Sequence, residues 1–98
     1  MTRQLIIRPE ADLDVEEAAA WYEDQRAGLG FRFLSELGQI LERIVESPLQ
    51  FPEIEEGARR GLLHRFPYGV YFVSERERVV VLAVLHLHRH PETWKVRR

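Results

Sequence analysis

His86, His88 and His90 fall at alternate positions behind an apolar run in "VLAVLHLHRH". Alternate side chains of an extended strand share one face, so the spacing admits an imidazole metal site. Pro91 argues against it, because a strand ending by His90 breaks the alternation at the third residue. The expectation is therefore no metal and no cofactor, with the histidines as the polar fringe of a buried strand. A second chemistry uses His86 alone. Histidine with a near-neutral pKa suits proton transfer, and guanidinium forks suit phosphate charge. Arg60, Arg65, His86 and Arg89 would make a set for cleaving RNA through its 2′-hydroxyl, provided that strands 59–66 and 79–86 lie close together.

Trp21 raises a different possibility. Tyr22 lies on the apolar stripe of its helix, and Trp21 sits one position round from it. Large aromatics at the edge of an apolar face anchor partner segments, and they also lie over helix seams. Trp94, in the basic C-terminal stretch, poses the same choice. Pro67, Tyr68 and Gly69 read as a turn, with Pro67 presetting φ and Gly69 supplying a permissive backbone.

These residues belong to 98 in total, enough for one domain, with 45% apolar residues to form a core. The absence of cysteine excludes a disulfide framework and a thiolate nucleophile. The N-terminal stretch is too polar for a signal peptide or a membrane span, which reads as a cytoplasmic chain with no membrane contact. The net charge of −2 hides a split. Residues 1–57 carry five basic and thirteen acidic side chains, a net −8, and residues 58–98 carry nine and three, a net +6. Such a balance excludes a generic nucleic-acid coat but leaves a basic half able to meet an anionic partner.

The elements that must position these groups follow from periodicity. "QLIIR" (4–8) predicts a strand. Pro9 followed by Glu10, Asp12 and Asp14 suits a helix start, and Ala11, Val15, Ala18, Ala19 and Tyr22 extend that helix over 9–26. "AGLG" breaks it. Helix 31–46 shows a row of Phe33, Leu37, Ile40 and Ile44 beside a row of Leu34, Leu41 and Val45. A connector over 49–58 leads to strands in "RRGLLHRF", "VYFVS" and "VVVLAVLH", with turns at 67–69 and 75–78. The last strand is apolar on both faces and so central. The fold class is α+β: an N-terminal strand, then a helical hairpin (about 9–47) packed on a small, mostly antiparallel sheet, β-α-α-β-β-β. The sheet half spans about 59–90, and 91–98 forms a basic tail, all within one domain.

Two stretches together resemble the RelE/ParE superfamily of toxins from type II toxin–antitoxin modules. "RPEADLDVEEAAAWYEDQRAGLGFRFLSELGQILERIVESP" is similar to its helical hairpin. "ARRGLLHRFPYGVYFVSERERVVVLAVLHLHRHPETW" is similar to its sheet half. The "EAAAWY" helix and the "LAVLH" strand resemble the ParE-like, plasmid-stabilization branch in particular. The resemblance implies a protein-binding poison of DNA gyrase, neutralised by a cognate antitoxin in a hetero-oligomer. It leaves two alternatives open. One is a RelE-like, metal-free endonuclease of messenger RNA on the ribosome using Arg60, Arg65, His86 and Arg89, so whether the chain is an enzyme stays open. The other is a non-toxic relative that only binds an antitoxin. On the gyrase reading Arg59, Arg60, Arg65, Arg89, Trp94 and Lys95 are candidates for target contact. Trp21, Leu34, Leu41 and Val45 are candidates for the antitoxin.

Overall fold

The computed structural model describes residues 3–89 and 92–98, so the expectation for His90 lies outside the described residues. The elements are β1 (Gln4–Ile7), α1 (Pro9–Gln25), α2 (Leu29–Glu46), β2 (Glu53–Glu55), β3 (Ala58–Leu62), β4 (Tyr68–Glu75), β5 (Arg78–His86) and α3 (Thr93–Val96). One five-stranded sheet has the order β1-β5-β4-β3-β2, with β1 parallel to β5 and every other pair antiparallel. The α1–α2 hairpin covers one face through Phe33, Leu37, Ile40 and Ile44 against Val70, Phe72, Val79 and Val81. A smaller cluster of Tyr71, Val80, Leu82, Ala83, Leu85 and Trp94 fills the opposite face.

The hairpin geometry has a polar cause. Glu23, near the end of α1, accepts the N–H groups of Gly28 (2.9 Å) and Gly30 (3.0 Å), two donors that the first turn of α2 would otherwise leave free. Gly28 supplies φ +89 for the reversal. A Cβ on Gly30 would lie 2.6 Å from the Ala19 carbonyl oxygen, so glycine sets the closeness of the helices. With this cap α2 begins at Leu29, two residues before the predicted start. At its other end, Nη1 of Arg3 donates to the carbonyls of Val45 (3.0 Å) and Glu46 (3.1 Å).

Two expectations need correction and one open choice closes. The connector contains β2, too short and acidic to show strand periodicity. Gly69 lies within β4, not in a turn, and it is not among the positive-φ glycines. Its role is closeness, because a Cβ there would press on the Arg60 stem (3.1 Å) and on Leu87 (3.2 Å). In the basic tail, where Trp94 was open as core cover or contact, residues 94 and 95 are docked. Trp94 is only 3% exposed and stacks on Tyr71 at 5.7 Å, and Lys95 pairs with Glu55 at 3.2 Å.

β5 carries one irregularity that matters for the site. Tyr71 faces Ala83 and Phe72 faces Val81, so Leu82 is an extra, bulged residue. Val79 and Val81 face the helices before it, and Val84 faces them after it. The bulge therefore exchanges odd for even positions on the helical side. β1 stops short of this point, and side chains complete the hydrogen bonding instead. Asp14 of α1 accepts the Val84 N–H at 3.0 Å, and Arg97 donates to the Leu82 carbonyl at 3.3 Å. Asp14 and Arg97 also pair with each other through two contacts of 2.6 and 3.2 Å. Arg8 donates to the Arg97 carbonyl at 2.7 Å.

Removing Asp14 leaves a half-buried guanidinium and a strand amide without their acceptor. Asp14→Ala is expected to cost about 2–4 kcal/mol, and Trp94→Ala about 3–5 kcal/mol, both read from urea midpoints at unchanged slope. Wild-type midpoints in either variant would show that the C-terminal turn contributes nothing to the core.

Candidate functional site

After the bulge, His86 is the last residue of β5 and pairs with Tyr68 at the start of β4. Directly opposed residues share a face, so both rings lie on the helical side, 5.3 Å apart and edge to face. Tyr22 from α1 joins them, 6.0 Å from Tyr68 and 4.8 Å from Phe66. Trp21 stands outside this group, 46% exposed, with its ring edge-on to Tyr22 at 5.1 Å. The Arg89 guanidinium lies 5.8 Å from the centre of the Trp21 ring. One rim of the molecule thus holds two tyrosines, a tryptophan, an imidazole and a guanidinium.

The electrostatics of this rim follow from partial burial. Burial raises the pKa of Tyr22, reinforced by Tyr68 and opposed by Arg89. Burial also raises Tyr68, opposed by Arg89 and reinforced by Asp14. Both phenols therefore keep their protons at neutral pH. Burial lowers the pKa of His86, and the nearby charges of Arg89 and His88 lower it further. The His88 N–H donates to Nδ1 of His86 at 3.1 Å. A neutral His86 consequently carries its proton on Nε2 and presents a donor, and the accepting nitrogen is already occupied. Among the described residues no three histidine, aspartate or glutamate side chains gather as a metal site would require.

Arg60 is parted from the rest of the proposed nuclease set. Arg60 pairs with Tyr71, whose ring belongs to the cluster on the face away from the helices, so the sheet separates Arg60 from His86. Its Nε is buried without a hydrogen-bond partner among the described residues. Arg65 lies in the loop before β4. There Glu36 of α2 accepts the backbone N–H groups of His64 and Arg65, the latter at 3.0 Å. Arg89 stays beside His86. The bulge decides the face that the end of β5 presents, and so puts His86 on the side away from Arg60.

The other candidates also separate. Arg59 is a clamp: it donates to the Phe51 carbonyl at 2.7 Å and pairs with Glu53 at 3.6 Å. Lys95 is held by Glu55 and Glu92, and Trp94 is buried, so neither offers a free contact. Leu41 and Val45 are half-buried and Leu34 is exposed.

A groove of about 1000 Å³ runs between α2 and the segment 62–67. It is lined by Arg32, Arg43, His64 and Arg65, and both oxygens of its one acid, Glu36, face backbone donors. Phe31, 74% exposed, and Leu62, 51% exposed, supply apolar surface along it. Sequence reasoning missed Phe31, although it falls outside both apolar rows of α2, which was a usable signal.

The model of the ParE toxin of the type II toxin–antitoxin system, parDE, matches residues 5–91 of this sequence. The chain belongs to the ParE toxin family. Its fold is that of a solved structure titled as the chromosomal ParDE TA system from P. aeruginosa. The match has a TM-score of 0.76 at 15% identity, over 87% of this chain and 96% of the other. No curated protein matches it in sequence. Among the described residues of this ParE-family chain no helix is long and apolar enough to cross a membrane.

The rim yields a pH dependence with a definite sign. His86 titrates near 6.5 when unfolded and lower when folded, so the unfolded state binds the proton more readily. Its contribution to stability is present above about pH 6.5 and is lost as the pH falls toward the folded value. His86→Gln should therefore lose less stability than wild type between pH 7.5 and 5.5, by urea denaturation at both pH values. Equal losses in the two proteins would remove the burial account of His86.

Proposed function

We propose that this chain is a gyrase-directed toxin of the cytoplasm, held silent by a cognate antitoxin that occupies the groove beside α2. The observation that carries the gyrase reading is the placement of Arg60 on the sheet face opposite His86, which takes one of the candidate phosphate-binding arginines out of reach of that imidazole. Charge supports the same reading. Residues 9–46, which hold both long helices, carry ten acidic and three basic side chains. That layer is repelled wherever it approaches ribosomal RNA. A poison of a protein target needs one complementary surface, and Trp21 with Arg89 at the rim provides exposed, partly preorganised contact area.

The antitoxin part rests on the groove. Its positive lining and exposed Phe31 and Leu62 fit an amphipathic segment with acidic residues. An association of nanomolar order is expected, about −12 kcal/mol. The complex would be a hetero-oligomer.

The test uses purified gyrase. The chain should inhibit supercoiling, and Arg89→Ala should weaken inhibition about tenfold, the scale of a contact residue, while the antitoxin restores activity. Phe31→Ala should reduce antitoxin affinity in titration calorimetry and leave inhibition intact. Full supercoiling activity at saturating toxin, in cells whose growth the toxin arrests, would refute the gyrase target. Absence of growth arrest together with tight antitoxin binding would make the chain a non-toxic relative.

A further inference from the structure

On the face opposite the helices, where β5 begins, a pocket of about 440 Å³ opens beside the C-terminal turn. Its floor is aliphatic, from Ile6, Val73, Val80 and Leu82. Its rim sets three guanidiniums, Arg8, Arg78 and Arg98, against one acidic side chain, Glu75. They come from the β1–α1 junction, the first residue of β5 and the last residue of the sequence. A positive cluster of this kind stands out in a chain of net charge −2.

Arg8 and Arg78 are each restrained in a way that leaves donors free. Arg8 uses Nη1 on the Arg97 carbonyl. Arg78 uses Nε on Glu75, and among the described residues its terminal nitrogens make no hydrogen bond. The Arg98 guanidinium lies over Gly57, in space that a Cβ at that position would fill. Gly57 has φ +80, and its N–H donates to Glu53 at 2.8 Å, which fixes the turn beneath Arg98. Glycine here both permits the turn and makes room for the cation. Restraint of Arg8 and Arg78 by one contact each lowers the ordering cost of binding a ligand through their other donors.

We propose that this pocket is an oxyanion site for a phosphate group. Guanidinium forks bind phosphate bidentately, and acceptors on several sides of a tetrahedral anion match cations arriving from three elements. A planar carboxylate would engage fewer of them at once. The site stands independently of the gyrase reading and lies across the sheet from His86.

The full chain would be titrated at low ionic strength with inorganic phosphate and, separately, with a short DNA duplex. Amide and arginine Nε–H shifts would be followed by NMR. Saturable shifts are expected at Gly57, Arg78 and Arg98. Arg78→Gln and Arg98→Gln should each weaken the phosphate response about tenfold, as expected for loss of one charged hydrogen bond, with thermal midpoints unchanged. Arg76→Gln, in the neighbouring turn, should leave it intact. Tighter, steeply salt-dependent binding of the duplex at the same residues would identify a nucleic-acid backbone as the source of the phosphate. Saturation by phosphate alone would identify the free ion. Shifts that never saturate, that include Arg76 equally, or that hexaglutamate produces more strongly than phosphate would overturn the proposal.

Discussion

The bulge at Leu82 and the Asp14–Arg97 pair that closes it govern what the rest of the molecule presents. Without the extra residue, strict alternation from Val79 and Val81 would aim His86 away from the helices. With it, Val84 and His86 stay on the helical side and Tyr68, Tyr22 and Arg89 gather around the strand end. A bulge next to an unpaired strand edge exposes backbone groups, and here Asp14 and Arg97 take both. One ion pair thereby ties α1, β5 and the C-terminal turn together. Burial of the second apolar cluster under Trp94 depends on the same turn.

Charge is organised by layer in consequence. The acidic helices face away from the sheet's second face, where Arg8, Arg60, Arg78 and Arg98 lie on or beside the strands. The groove beside α2 and the Trp21–Arg89 rim meet at Tyr22, which lines the first and packs on Trp21 in the second.

Much of the fold was legible in the sequence. Periodicity located both long helices and β5, and the row Phe33, Leu37, Ile40 and Ile44 is buried as its spacing required. What escaped was set by tertiary contact. Glu23 starts α2 early through a carboxylate that no local pattern reveals. α3 forms because Trp94 finds Tyr71, a contact between residues far apart in the chain. The face of His86 was not legible, because a strand read as alternating is blind to a bulge. Arg60 was grouped with His86 on proximity of strands, although proximity across strands says nothing of face. Asp14 was read as a helix-start acid only, and its pairing with Arg97 spans nearly the whole sequence.

The central claim is that this arrangement binds a target without performing chemistry at His86. Primer extension on translated messages, in cells expressing the chain, tests it most directly. The account predicts intact messages during growth arrest and no difference between wild type and His86→Ala. Ribosome-dependent cuts that appear with the wild type and vanish with His86→Ala would contradict it.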